Sequence, residues 1–210
     1  MVKIAVSILS KNDDETIAKL NNTNLDYYHI DIMDGIFVKE IYFPLSKIKE
    51  ISHKLHHKLD VHLMVQDYDY YINNLHDLNI EYITIHYETL NNIDVIKKIK
   101  SKGIKCGLSI KPNTDIKDIF PLLDNLDLVL IMSVEPGYGG QEFIISSLDK
   151  VRLLKEEINK RNLKTIISID GGINNVNAAS CIEAGCDMLV SGSYIIKQDD
   201  YQKAIDILRK

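Results

Sequence analysis

Short runs of β-branched and aliphatic residues recur along this chain, each followed by a longer stretch with apolar positions three and four apart. The first pattern predicts buried strands and the second amphipathic helices. Strands are expected at Ile4–Leu9, Tyr27–Ile32, Leu59–Met64, Tyr82–His86, Lys105–Ile110, Leu128–Met132, Thr165–Asp170 and Met188–Ser191. Helices are expected at Asp14–Leu20, Leu45–His56, Tyr68–Leu78, Ile93–Lys100, Ile116–Leu122, Ser147–Lys160, Val176–Ala184 and Asp200–Leu208. Near-continuous apolar strands separated by helices imply a parallel sheet covered on both faces. Eight strand–helix units in 210 residues favour a single (β/α)8 TIM barrel, with residues 1–210 as one catalytic domain. The competing arrangement is an open doubly wound sheet, but no Gly-x-Gly-x-x-Gly follows the first strand.

In a barrel of this type, chemistry sits at the C-terminal ends of the strands. Polar residues collect there: Ser7 and Ser10 after the first strand, His29, Asp31 and Asp34 on the second, His62 on the third and His86 on the fourth. The sixth strand runs into Met132-Ser133-Val134-Glu135, the seventh into Asp170-Gly171-Gly172 and the eighth into Ser191-Gly192-Ser193. An unpaired polar group buried there costs roughly 2–7 kcal/mol, so the pattern calls for a shared purpose.

Three constellations stand out. His29 and Asp31, two apart on one strand, share a face; His62 lies on the next strand and Asp170 across the barrel. Two imidazoles and two carboxylates meeting at a barrel mouth suit one divalent metal ion per chain, Zn²⁺, Fe²⁺, Mn²⁺ or Co²⁺. The spacing also fits a hydrogen-bonded core histidine at His62 with carboxylates beside it. The second constellation is glycine-rich: Gly137-Tyr138-Gly139-Gly140 after the sixth strand, Gly171-Gly172 after the seventh and Gly192-Ser193 after the eighth. The last two loops occupy the fold's recurrent phosphate position, with Ser193–Ile196 as a short extra helix. The third is Met33, Met64 and Met132, expected to form an apolar cavity wall that excludes water.

Composition narrows the partners. Acidic and basic residues are interspersed, the net charge is −5 and no basic stripe occurs, so nucleic-acid binding has no electrostatic support. Cys106, Cys181 and Cys186 lack the spacing of a disulfide framework or zinc site, which fits reduced thiols in a cytoplasm. Met1–Leu9 is too short for a secretory signal. No run of about 18 apolar residues predicts a membrane span. A homo-oligomer is expected.

The segments Ser7–Ser10, His29–Gly35, Asp60–Met64, Met132–Gln141, Asp170–Asn174 and Ser191–Ser193, in this order, resemble the ribulose-phosphate 3-epimerase family along nearly the whole chain. The resemblance implies a (β/α)8 barrel isomerase that interconverts D-ribulose 5-phosphate and D-xylulose 5-phosphate in the pentose phosphate pathway. It implies that His29, Asp31, His62 and Asp170 bind the metal and that Asp31 and Asp170 are the catalytic acid/base pair. Ser7, His62, Gly137, Tyr138, Gly139, Gly140, Asp170, Gly171, Gly172, Gly192 and Ser193 match substrate-contacting positions. Epimerisation at carbon 3 would then pass through a metal-stabilised 2,3-enediolate. The chain departs from the family pattern at Val6, at Lys39–Pro44, at Lys111-Pro112 and at Tyr138. Three other activities compete: a sister epimerase acting on another phosphorylated ketose such as allulose 6-phosphate, a metal-free phosphosugar barrel enzyme, and a phosphosugar-binding sensor. The metal-free enzyme would place a lysine among the barrel carboxylates, and the strand ends carry none.

Overall fold

Eight parallel strands close on themselves in the computed structural model, which describes residues 1–210. They are β1 (Lys3–Ser7), β2 (Tyr27–Asp34), β4 (Lys58–Met64), β5 (Ile80–His86), β6 (Lys105–Ile110), β7 (Leu128–Met132), β8 (Ile166–Asp170) and β9 (Met188–Ser191). Each pairs with the next, and β1 pairs with both β9 and β2, so the ring is complete. A two-residue strand β3 (Ile41–Tyr42) pairs antiparallel with the end of β2 and lies outside the ring. The architecture is a single TIM barrel.

The helices are α1 (Asp14–Asn21), α2 (Leu45–Ser52), α3 (Tyr68–Leu75), α4 (Asp94–Ser101), α5 (Ser147–Lys160), α6 (Ala178–Ala184), α7 (Ser193–Ile196) and α8 (Tyr201–Leu208). Asp13, Asp67 and Asp200 cap α1, α3 and α8 by accepting backbone N–H groups of the first turn. Alternate strand residues face the helices, and together with the inner faces of those helices they form one cluster of 53 buried apolar residues. On β2 these are Tyr28, Ile30 and Ile32, while Tyr27, His29, Asp31 and Met33 point into the barrel. A smaller cluster, including Tyr27, Tyr82, Leu128, Leu130 and Met188, fills the interior. Lys3 Nζ donates to the Tyr27 hydroxyl at 2.9 Å, and the Tyr27 and Tyr82 rings meet edge-on at 5.6 Å. The barrel therefore has an apolar floor, and the polar strand ends are confined to one rim.

The structure corrects several expected boundaries. The first strand stops at Ser7 rather than Leu9, and α2 stops at Ser52 rather than His56. Ile116–Leu122, expected as an α-helix, belongs to a 3₁₀ stretch from Ile116 to Asn125 that contains Pro121. Proline has no N–H to donate and its ring crowds the preceding turn, which disfavours a regular α-helix. The helix expected from Val176 starts at Ala178. The short helix expected at Ser193–Ile196 forms with those bounds.

Candidate active site

The register of β2 with β4 sets His29 beside Asp60, Asp31 beside His62 and Met33 beside Met64, all facing inward. Asp170 ends β8. His29, Asp31, His62 and Asp170 each bring one donor atom to a point, and these atoms lie within 4.8 Å of one another. His29 Nε2 and His62 Nδ1 both lie 3.2 Å from Asp31 Oδ1, and His29 Nε2 lies 3.8 Å from Asp170 Oδ2. The Ser7 hydroxyl donates to the other oxygen of Asp31 at 2.8 Å. His29 and His62 are fully enclosed, and Asp170 is the most exposed of the four.

The far side of each imidazole is already engaged. His29 Nδ1 meets Asp60 Oδ2 at 2.7 Å, and His62 Nε2 meets His86 Nε2 at 2.9 Å. Partners of this kind hold a metal-binding histidine in one orientation. His29 Nε2 and His62 Nδ1 are thus the nitrogens turned inward, where a divalent cation would take the place of a proton. Two imidazole nitrogens and two carboxylates are a donor set for a first-row divalent ion, and the residues fit such a group.

The two aspartates are driven apart in acidity. Burial works against an ionised Asp31, but His29 and His62 override it and hold the carboxyl well below the ordinary carboxylate range. Burial pushes Asp170 up to about 6; His29 opposes this and the Asp31 charge reinforces it. Burial also opposes a charged His29 ring, yet Asp31 and Asp60 raise its pKa well above the usual value. Two neighbouring carboxyls with split acidity suit one as base and the other as acid.

A cavity of about 330 Å³ opens above the cluster. Asp31 and Asp170 reach its wall, as do Ser7, Met33, Met64 and Met132. Gly137, Tyr138, Gly139, Gly140, Gly171, Gly172, Gly192 and Ser193 line the rest. At Gly192 an added Cβ would lie 2.8 Å from the Ser7 carbonyl, so only glycine lets β9 meet β1 there. Gly171 and Gly172 take φ of +123° and +66°, backbone that side chains rarely tolerate.

His29, Asp31, His62 and Asp170 form the cluster, and Ser7, the three methionines and the residues of the glycine loops line the wall; His62, matched to a substrate-contacting position, sits behind that wall with His86 beyond it. Asp34, also at a strand end, serves the loop instead, accepting from the N–H groups of Ile36, Phe37 and Gln66. Sequence reasoning missed Asp60, Glu88 and Lys197. Asp60 precedes His62 by two positions on one strand, the same signal that linked His29 to Asp31. Lys197 is the one cationic side chain on the cavity wall.

Comparison with known proteins adds sequence and structural neighbours. The model of the ribulose-phosphate 3 epimerase family matches residues 3–196. Ribulose-phosphate 3-epimerase of Bacillus subtilis is 36% identical, with 100% of this chain and 99% of the relative covered. The Methanocaldococcus jannaschii enzyme of the same name is also 36% identical over 100% and 91%, and the Escherichia coli one 35% identical over 98% and 94%. Among solved structures, thiamine phosphate pyrophosphorylase from Pyrococcus furiosus superposes with a TM-score of 0.69 at 18% identity, covering 99% of this chain and 94% of that one. 3-Hexulose-6-phosphate synthase from Salmonella typhimurium gives 0.67 at 17% identity over 99% and 96%. At such identities the structural likeness speaks for the barrel alone.

Proposed function

The chain belongs to the ribulose-phosphate 3-epimerase family and is an isomerase, and from that premise we propose that it interconverts D-ribulose 5-phosphate and D-xylulose 5-phosphate with Asp31 and Asp170 as its acid/base pair. The observation that carries this reading is the convergence of His29, Asp31, His62 and Asp170 beneath a cavity that both aspartates reach.

Epimerisation removes the proton on carbon 3 from one face of the sugar and returns a proton to the other. The electron pair left on carbon 3 delocalises into the carbon 2 carbonyl as an enediolate. Bound by His29, Asp31, His62 and Asp170, a divalent cation would supply Lewis-acid stabilisation of that negative charge. Asp31 and Asp170, which both reach the cavity, serve as base and acid, in the order that the direction of reaction sets. After one turnover the two carboxyls have exchanged protonation states. The starting state returns when the carboxyl that gained the proton releases it and the other regains one, both through the cavity that the two aspartates reach. In the reverse reaction the roles swap.

Ser7 holds Asp31 from behind, which keeps one carboxylate oxygen aimed at the cluster. Met33, Met64 and Met132 keep that part of the wall apolar and limit water around the developing charge. The loops at Gly171-Gly172 and Gly192-Ser193 take the phosphate through backbone N–H groups. Residues 1–210 act as one catalytic domain. Three cysteines, all free, support a reducing cytoplasm. No helix is long and apolar enough to cross a membrane. Assembly as a homo-oligomer belongs to the same reading and is tested by sedimentation of the purified chain.

The deciding experiment is a coupled assay with ribulose 5-phosphate and with allulose 6-phosphate, each with and without chelator. Pentose turnover that chelation abolishes and added Zn²⁺, Mn²⁺ or Co²⁺ restores is the expected result. Faster turnover of the hexose, or full turnover after complete metal removal, overturns the substrate or the metal assignment respectively. Asp31→Asn and Asp170→Asn should each abolish epimerisation; more than a few per cent of residual activity in either refutes its role.

A further inference from the structure

A chain of buried polar groups runs away from the metal donors, behind His62. His62 Nε2 lies 2.9 Å from His86 Nε2, and His86 Nδ1 lies 3.1 Å from Glu88 Oε2. Both rings are completely enclosed. The other oxygen of Glu88 accepts from the Lys111 backbone N–H at 2.7 Å and from the Thr114 hydroxyl. Lys150 Nζ ties down the same loop, donating to the carbonyls of Lys111, Pro112 and Thr114 at 3.1, 2.6 and 2.5 Å. Phe37 lies against the His86 ring, centroids 4.6 Å apart, and closes that side.

With both rings neutral, these contacts admit one arrangement of protons. Two ring nitrogens 2.9 Å apart share one proton. Glu88 as a carboxylate only accepts, so the neutral His86 ring must carry its proton on Nδ1. His86 Nε2 is then a bare acceptor, and the shared proton belongs to His62 Nε2. That leaves His62 Nδ1 as a lone pair, 3.2 Å from a carboxylate oxygen of Asp31. A contact between two acceptors at that distance needs positive charge between them, which a proton on Nδ1 supplies in the metal-free chain and a divalent cation would supply in its place.

We propose that His86 and Glu88 are positioning residues for the metal centre: they select the tautomer of His62 that offers Nδ1 to a divalent cation, and they anchor that choice to the Lys111–Thr114 loop. Neither residue touches substrate. The proposal rests on the metal-centre reading above.

The test is Zn²⁺ affinity, measured by chelator competition on the intact protein. Glu88→Leu removes the acceptor for His86 and should weaken Zn²⁺ binding about 10- to 100-fold, the usual effect of losing a partner that orients a metal-binding histidine. Glu88→Gln keeps an oxygen at the same reach and should bind Zn²⁺ nearly as the parent does. His86→Phe should lose as much as Glu88→Leu, and combining the two should cost no more than His86→Phe alone, because they break one chain. Equal affinity in Glu88→Leu and the parent, or fully additive losses, overturns the relay. Long-range ¹⁵N–¹H spectra of the Zn²⁺-loaded parent require no variant to fold. They should show His62 protonated on Nε2 and His86 on Nδ1; the opposite tautomer at either ring refutes the proposal. A parent protein that takes up no Zn²⁺, Mn²⁺ or Co²⁺ would remove the metal reading itself and the relay with it. Normal uptake with unaffected Glu88→Leu removes the relay alone.

Discussion

His29 Nδ1 lies 2.7 Å from Asp60 Oδ2, with both side chains sealed inside the barrel. The contact joins neighbouring positions on two adjacent strands, His29 on β2 and Asp60 on β4. It leaves Nε2 as the nitrogen turned toward Asp31 and Asp170. The second oxygen of Asp60 has no hydrogen-bond partner, so substitution here probes one contact. Asp60→Ala strands the His29 N–H, and metal affinity should fall by roughly 10- to 100-fold. Folding stability should also drop by about 1–3 kcal/mol, the cost of an unpaired buried donor. Asp60→Asn retains an acceptor and should lose less of both. Chelator competition and urea unfolding read the two effects separately.

Gly172 and Gly103 both adopt positive φ, +66° and +76°, but only Gly172 is hemmed in by backbone. A Cβ there would lie 2.8 Å from the Phe143 nitrogen and 2.9 Å from the Gln141 oxygen, whereas at Gly103 nothing comes within 4 Å. Gly103→Ala should therefore cost about 1–2 kcal/mol of left-handed strain and leave turnover unchanged. Gly172→Ala should cost more than that and lower kcat/KM, because the loop after β8, which lines the cavity, must part from the Gln141–Phe143 backbone. Denaturant unfolding and steady-state kinetics of the two variants, side by side, check the contrast.

Lys197 supplies the only positive side chain of a cavity whose other charged lining groups are Asp31, Glu135 and Asp170. A phosphorylated substrate gains from it in the ground state and the transition state alike. Lys197→Ala should raise KM about 3- to 10-fold with little change in kcat, the mark of uniform binding. Because Lys197 is exposed, the difference should shrink as salt is added. An unchanged KM at low ionic strength would remove Lys197 from substrate binding.

Glu88 links acid stability to the relay. Burial works against its charge, but His86, Thr114 and the Lys111 backbone override it and lower its pKa from 4.5 to about 2. A carboxyl depressed on folding stabilises the native state above its unfolded value. That contribution is lost as pH falls from about 4.5 toward 2. Glu88→Gln, which does not titrate, should be less stable than the parent at neutral pH. The gap should narrow below about 4.5, the ordinary glutamate value. Denaturant unfolding at several pH values measures it, and a gap that stays constant into acid contradicts the prediction.

Local pattern determined more of this protein than its fold class. The alternation of apolar runs and helical stretches yields eight strand–helix units because strand and helix periods are properties of neighbouring residues. The period of two placed His29 and Asp31 on one inward face, and barrel order placed His62 and Asp170 at the same rim. At Ile116–Asn125 the helical spacing of apolar residues misled, because Pro121 removes a donor and the segment winds as a 3₁₀ stretch instead of the expected α-helix. Tertiary structure decided which nitrogen of each imidazole faces inward, because that depends on Asp60 and His86 arriving from neighbouring strands, and Glu88 from the turn after β5, at distances near 3 Å. It alone brought Lys197 to the cavity wall, far along the chain from Asp31. Such contacts are set by strand register and by closure of the ring, which the packing of the whole barrel imposes and no local window of sequence contains.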